Sequence, residues 1–139
     1  MIKAYFSHKM IPTGEGSGNF SMDLWSNVRA SRSISKHIGD YFKEDIVIYN
    51  PYDYDMLVHL WERDEISTGE IATMTTAMLN FSDLLIVDSD ANESSEITMD
   101  IEFAVDNRIP IVYTYQHVNV LDKFNEVENI IRKLTHESN

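Results

Sequence analysis

The chain has 139 residues, 43% hydrophobic and 24% charged, the proportions of one globular domain (1–139) that can bury its own core, which excludes wholesale disorder. A net charge of −12, with eleven basic residues scattered along the chain, excludes polymeric DNA or RNA as partner but leaves open a small anion held by backbone N–H groups. The lack of cysteine excludes disulfides and thiolate metal sites and favours an intracellular, cytoplasmic setting, and no run approaches the roughly 18–20 apolar residues of a membrane span.

Ile2–Ser7, short and rich in β-branched and aromatic residues, reads as a first strand; its apolar run is too short for a signal peptide. The polar stretch His8–Gly18 carries Gly14, Gly16 and Gly18 without periodicity and reads as a mobile loop. Ser21 is placed to cap a long helix ending near Phe42, with Leu24, Val28, Ile34, Ile38 and Tyr41 mostly on one face. Asp45–Tyr49 is a buried-type strand closed by Asn50-Pro51, and Tyr52–Arg63 a short helix without clear caps. Ser67 or Thr68 caps a helix through Asn80 that turns Ile71, Met74, Met78 and Leu79 inward. Asp83–Val87 is a continuous apolar run between aspartates, the pattern of a central parallel strand covered on both faces. The polar loop Asp88–Ser94 leads into a helix from about Ser95 to Asn107, followed by a strand over Pro110–Tyr115 and an amphipathic helix over Asn119–Leu134.

Strands alternating with helices predict an α/β protein, a Rossmann-like or flavodoxin-like three-layer sandwich around four or five parallel strands. Ligands of such sheets sit beyond the carboxyl ends of the strands. Two loops have the composition for that, Ser7–Ser21 and Asp88–Ser95. The helix after the second carries Glu96, Asp100 and Glu102. At 100° per residue Ile97, Ile101, Ala104 and Val105 share the side that faces the sheet, and Asp100 and Glu102 fall on opposite flanks of it. The helix dipole keeps a carboxylate in the first turns ionised, which suits a nucleophile or a stabiliser of an oxocarbenium ion. Acids at helix N-termini are also common simply because they stabilise the helix, so pattern alone leaves both readings open.

The run Ser94-Ser95-Glu96-Ile97-Thr98-Met99-Asp100-Ile101-Glu102-Phe103-Ala104, followed by Arg108-Ile109-Pro110-Ile111-Val112, resembles the signature of the nucleoside 2-deoxyribosyltransferase-like superfamily. The opening Lys3-Ala4-Tyr5-Phe6-Ser7-His8 is similar to that family's first strand, and Asn27, Arg29 and the Pro51–Asp55 turn fall in matching places. The likeness covers nearly the whole chain and is strongest at residues 2–8 and 83–113. Counting back ten residues from Pro110 puts Asp100 in the slot of the family's catalytic Glu, and Glu96 where the family prefers a Gly.

The resemblance implies cleavage or transfer of the N-glycosidic bond of a (deoxy)nucleoside or its 5′-monophosphate. Asp100 would attack the anomeric carbon, Tyr5 would orient it, and Glu102 is the other candidate carboxylate; water or a second base would then resolve the glycosyl-enzyme. Asp88 and Asp90 would accept hydrogen bonds from sugar hydroxyls. Ser94 and Ser95 would offer donors at the helix start, and Ser7 and His8, at the end of the first strand, would contact the substrate. No metal or cofactor is required, and members of the family commonly pair into homodimers or larger homo-oligomers. The alternative is a binding module of the same fold that holds a nucleotide-derived ligand without chemistry. Trp25 and Trp61 are placed to stack a base, though a lone Trp on a helix is more often core. Tyr49, Tyr52 and Tyr54 surround Pro51 and wall either a pocket or the core, His59 near Glu62 lacks the partners of a metal site, and the seven methionines are expected to fill core gaps.

Overall fold

A computed structural model describes residues 1–12 and 17–137; positions 13–16 of the expected glycine-rich loop lie outside the described residues. The elements are β1 (Ile2–Ser7), α1 (Phe20–Tyr41), β2 (Ile46–Tyr49), a 3-10 turn at Pro51–Asp53, α2 (Asp55–Glu62), α3 (Thr68–Asn80), β3 (Leu84–Val87), a 3-10 turn at Ala91–Glu93, α4 (Ser95–Asp106), β4 (Ile111–Tyr113) and α5 (Val120–Glu137). All four strands are parallel, in the order β2-β1-β3-β4, the doubly wound arrangement that the alternation predicts.

The period of two along each strand divides the core into two layers. Ala4, Phe6, Leu84 and Ile86 pack with Ile38 and Phe42 near the end of α1 and with Val127 and Ile131 of α5. Tyr5, Leu85 and Val87 pack on the opposite face with Leu79 of α3 and Ile97 and Ala104 of α4. A third cluster joins the start of α1 to α2 and α3 through Leu24, Val28, Val58, Trp61 and Ile71. Among the described residues no helix is long and apolar enough to cross a membrane.

Several local expectations are corrected. The cap of α1 is Asn19, whose side chain accepts from the Met22 N–H; the Ser21 hydroxyl is taken up by Glu62, to which it donates at 2.6 Å. The expected helix Tyr52–Arg63 is divided, because the Asn50 side chain accepts from the Tyr52 N–H and starts the 3-10 turn with Pro51 in its first position. Ser67 caps α3 in a reciprocal capping box with Glu70. β4 is shorter than expected because the N–H groups of Thr114 and Tyr115 both turn to the Val87 carbonyl, carrying the chain over the end of β3. α5 runs on to Glu137. Tyr41, Met74 and Val105 are exposed rather than inward. Of the methionines only Met10 is fully buried, while Met1, Met22, Met56, Met74 and Met99 are exposed, so they do not fill the core.

Candidate functional site

The chain leaves β1 toward the α1 face of the sheet and leaves β3 toward the α4 face, so a crevice opens between the carboxyl ends of these two adjacent strands. Strand parity points Tyr5 and Ser7 of β1 to the α3–α4 side. On α4 the buried stripe of Ile97 and Ala104 fixes the rotation of the helix, which turns Glu96 and Asp100, one turn apart, into the same crevice. α3 adds Ile71 and Thr75, and Tyr52 closes the side nearest β2. The resulting cleft offers about 70 Å³ to the centres of water molecules, enough for about five waters.

The polar groups in the cleft are specifically connected. The Ser7 hydroxyl donates to Asp100 Oδ2 at 2.7 Å. The Tyr5 side chain is hydrogen-bonded to Thr75. The Tyr52 hydroxyl points at Glu96 Oε2 at 3.4 Å, while Glu96 Oε1 is buried without a hydrogen-bond partner among the described residues. Tyr52 is held from behind: its ring stacks on Trp61 with centroids 5.9 Å apart, and its carbonyl accepts from Arg32 Nε at 2.7 Å. Asn50, which accepts from its N–H, is itself fixed by donating to Ser31 and Ser35.

Enclosure changes the acidity of both carboxyl groups. Burial raises Asp100 to about 6, against the opposing pull of the Ser7 hydrogen bond. Burial raises Glu96 further, to about 7, with the Asp100 charge adding to it and the Tyr52 hydrogen bond opposing. The helix dipole is expected to keep such a carboxylate ionised; desolvation raises Asp100 above the ordinary carboxylate range, so it is mostly rather than fully ionised near pH 7. Burial also raises both tyrosines, with the carboxylates beside them contributing, so each stays a neutral hydroxyl near pH 7. One carboxyl group that is mostly ionised and one that is about half protonated thus face the same small space. No lysine or arginine is among the described residues that line it.

The sequence-predicted residues divide into those the fold brings together and those it does not. Tyr5, Ser7, His8, Ser95 and Asp100 all line the cleft. The Ser7 hydroxyl, expected on the substrate, is instead given to Asp100. Ser94 is the cap of α4, its side chain accepting from the Glu96 N–H at 3.2 Å. Asp90 likewise caps the preceding 3-10 turn, accepting from Asn92 N–H. Asp88 does not face the cleft: it continues the parity of Leu84 and Ile86 to the α5 side. There it is buried in an ion pair with Lys123 and accepts from the Thr114 hydroxyl at 2.6 Å. Glu102 points outward and is exposed, so it is not a second carboxylate of this site. Tyr49 and Tyr54 are exposed, whereas Tyr52 walls the cleft and packs in the core at once. Trp61 is core, and the Trp25 indole donates to Glu62. No group of three or more His, Asp or Glu among the described residues could hold a metal ion.

Sequence reasoning gave no catalytic role to Glu96. The signal was present: an acid four residues before Asp100, on the flank of a helix whose apolar stripe faces the sheet. Compared with protein-family models, with curated proteins and with solved structures, the chain matches none of them.

Proposed function

We propose that the protein cleaves or transfers the N-glycosidic bond of a nucleoside or nucleoside 5′-monophosphate, with the Asp100 carboxylate as nucleophile. The observation that carries this reading is the hydrogen bond from Ser7 to Asp100 inside a small cleft at the switch point of the sheet. That bond occupies Oδ2, fixes the orientation of the carboxyl group and leaves Oδ1 for the anomeric carbon. Tyr5, held by Thr75 beside Asp100, is a neutral wall against which a sugar ring can lie. The resemblance of residues 94–104 and 108–112 to the deoxyribosyltransferase-like signature points to the same bond.

The test is chromatography of nucleosides and their 5′-monophosphates after incubation with the protein, with and without a free acceptor base. Free base should appear with the wild type and vanish in Asp100→Asn. A new nucleoside formed only with acceptor present would make the protein a transferase. No turnover across the panel, together with a raised melting temperature for some of its members, would replace the proposal with a binding module.

A further inference from the structure

Resting on that reading, we propose that Glu96 is the general acid and base of the site, giving its proton to the departing nucleobase while Asp100 takes the sugar. The two carboxyl groups leave the same face of α4 one turn apart, where side chains four residues apart have Cβ atoms about 6 Å from one another. Retaining glycosidases hold nucleophile and acid about 5–5.5 Å apart, a separation within reach of two carboxyl groups carried four residues apart on one helix face. Among the described residues Glu96 Oε1 has no hydrogen-bond partner, so a proton carried on that oxygen is not held by a neighbouring described group. Tyr52 approaches the other oxygen and marks which one is taken.

The groups facing Glu96 favour that protonated form. Asp100 on its own helix repels a second negative charge, and Tyr5 of β1 and Tyr52 after β2 are neutral. α3 presents the hydroxyls of Thr68, Thr75 and Thr76 as its polar groups, and among the described residues that line the cleft His8, at the carboxyl end of β1, is the one able to become cationic. In the first step the C1′–N bond breaks and its electron pair leaves with the base. The Glu96 O–H proton moves to a ring nitrogen or carbonyl oxygen of that base, and an Asp100 oxygen bonds to C1′. In the second step water, or the N–H of an acceptor base, gives a proton to the Glu96 carboxylate as its oxygen or nitrogen bonds to C1′. The Asp100–C1′ electron pair then returns to Asp100. Both residues end as they began.

The experiment compares wild type and Glu96→Gln on a nucleoside and on the 4-nitrophenyl glycoside of the same sugar, whose phenolate leaves without a proton. General acids contribute about 10²–10⁴-fold, so Glu96→Gln should lower kcat/KM on the nucleoside by at least about 100-fold. Its kcat/KM on the nitrophenyl glycoside, which reports only the first step, should stay within about threefold of wild type, while kcat falls because the second step still needs the Glu96 base. The wild-type alkaline limb near pH 7 should appear with the nucleoside and be absent with the nitrophenyl glycoside. Retained turnover of the nitrophenyl substrate also shows that the variant folds. Equal losses on both substrates, or no loss on the nucleoside, would overturn the role of Glu96 and leave Asp100 chemistry standing. Failure of the wild type on both substrates would overturn the glycosidic reading itself, and this proposal with it.

Discussion

Confining two carboxyl groups in one cleft makes the stability of the protein depend on pH in an unusual direction. Glu96 is raised from 4.5 to about 7 and Asp100 from 3.8 to about 6, so both hold protons in the folded state that they lose on unfolding. A raised carboxyl pKa favours folding below the unfolded value, and that advantage is lost as pH rises through the folded value. Each full shift is worth about 3 kcal/mol. Integrated between pH 5.5 and pH 8, the pair should destabilise the fold by about 3 kcal/mol more at the upper pH, a large part of the 5–15 kcal/mol that holds a domain together. The isosteric double variant Glu96→Gln/Asp100→Asn removes both ionisations. Urea unfolding at the two pH values, followed by circular dichroism and by the fluorescence of buried Trp61, should find the variant clearly more stable at pH 8 and the gap smaller at pH 5.5. Parallel pH dependences for the two proteins, or a variant less stable than wild type at pH 8, would refute the reasoning.

Lys123→Met leaves Asp88 buried without its counter-charge and should cost about 3–5 kcal/mol in urea unfolding, with much of the loss recovered by adding Asp88→Asn. Ser7→Ala removes the hydrogen bond that lowers Asp100, so the acidic limb of kcat/KM should move to higher pH. Arg108 follows the end of α4 with φ 57°, a conformation that favours glycine, and Arg108→Gly should raise stability by about 0.5–1 kcal/mol in thermal unfolding. Glu102→Ala, on the exposed side of α4, should leave both base release and unfolding within about 0.5 kcal/mol of wild type.

The elements were legible because their signals are local. The apolar run Leu84–Val87 between aspartates reads as a covered strand, and Ser67 caps α3 at the residue immediately before its start. The site was half legible. Helix rotation deduced from Ile97, Ile101 and Ala104 separated Asp100 from Glu102, and the fold placed Asp100 in the cleft. Asp88 was misplaced although the alternation of Leu84 and Ile86 already assigned its direction; its polarity and loop position suggested ligand where parity dictated α5. The acidities of Glu96 and Asp100 were not legible, because they depend on walls supplied by β1, α3 and the turn after β2, and no local pattern encodes how well those walls exclude water. Nor could composition distinguish Asn19 from Ser21 as a cap, since the choice was made by Glu62, forty-one residues beyond the serine it binds.

The ion pair beneath α5 has a consequence for a chain made from its N-terminus. Until Lys123 has been synthesised and has emerged, the end of β3 carries a carboxylate whose buried counter-ion, among the described residues, does not yet exist. The layer formed by α3 and α4 is complete well before the layer that contains α5. Closing the α5 face and neutralising Asp88 therefore both wait on the same helix, the last one to be made.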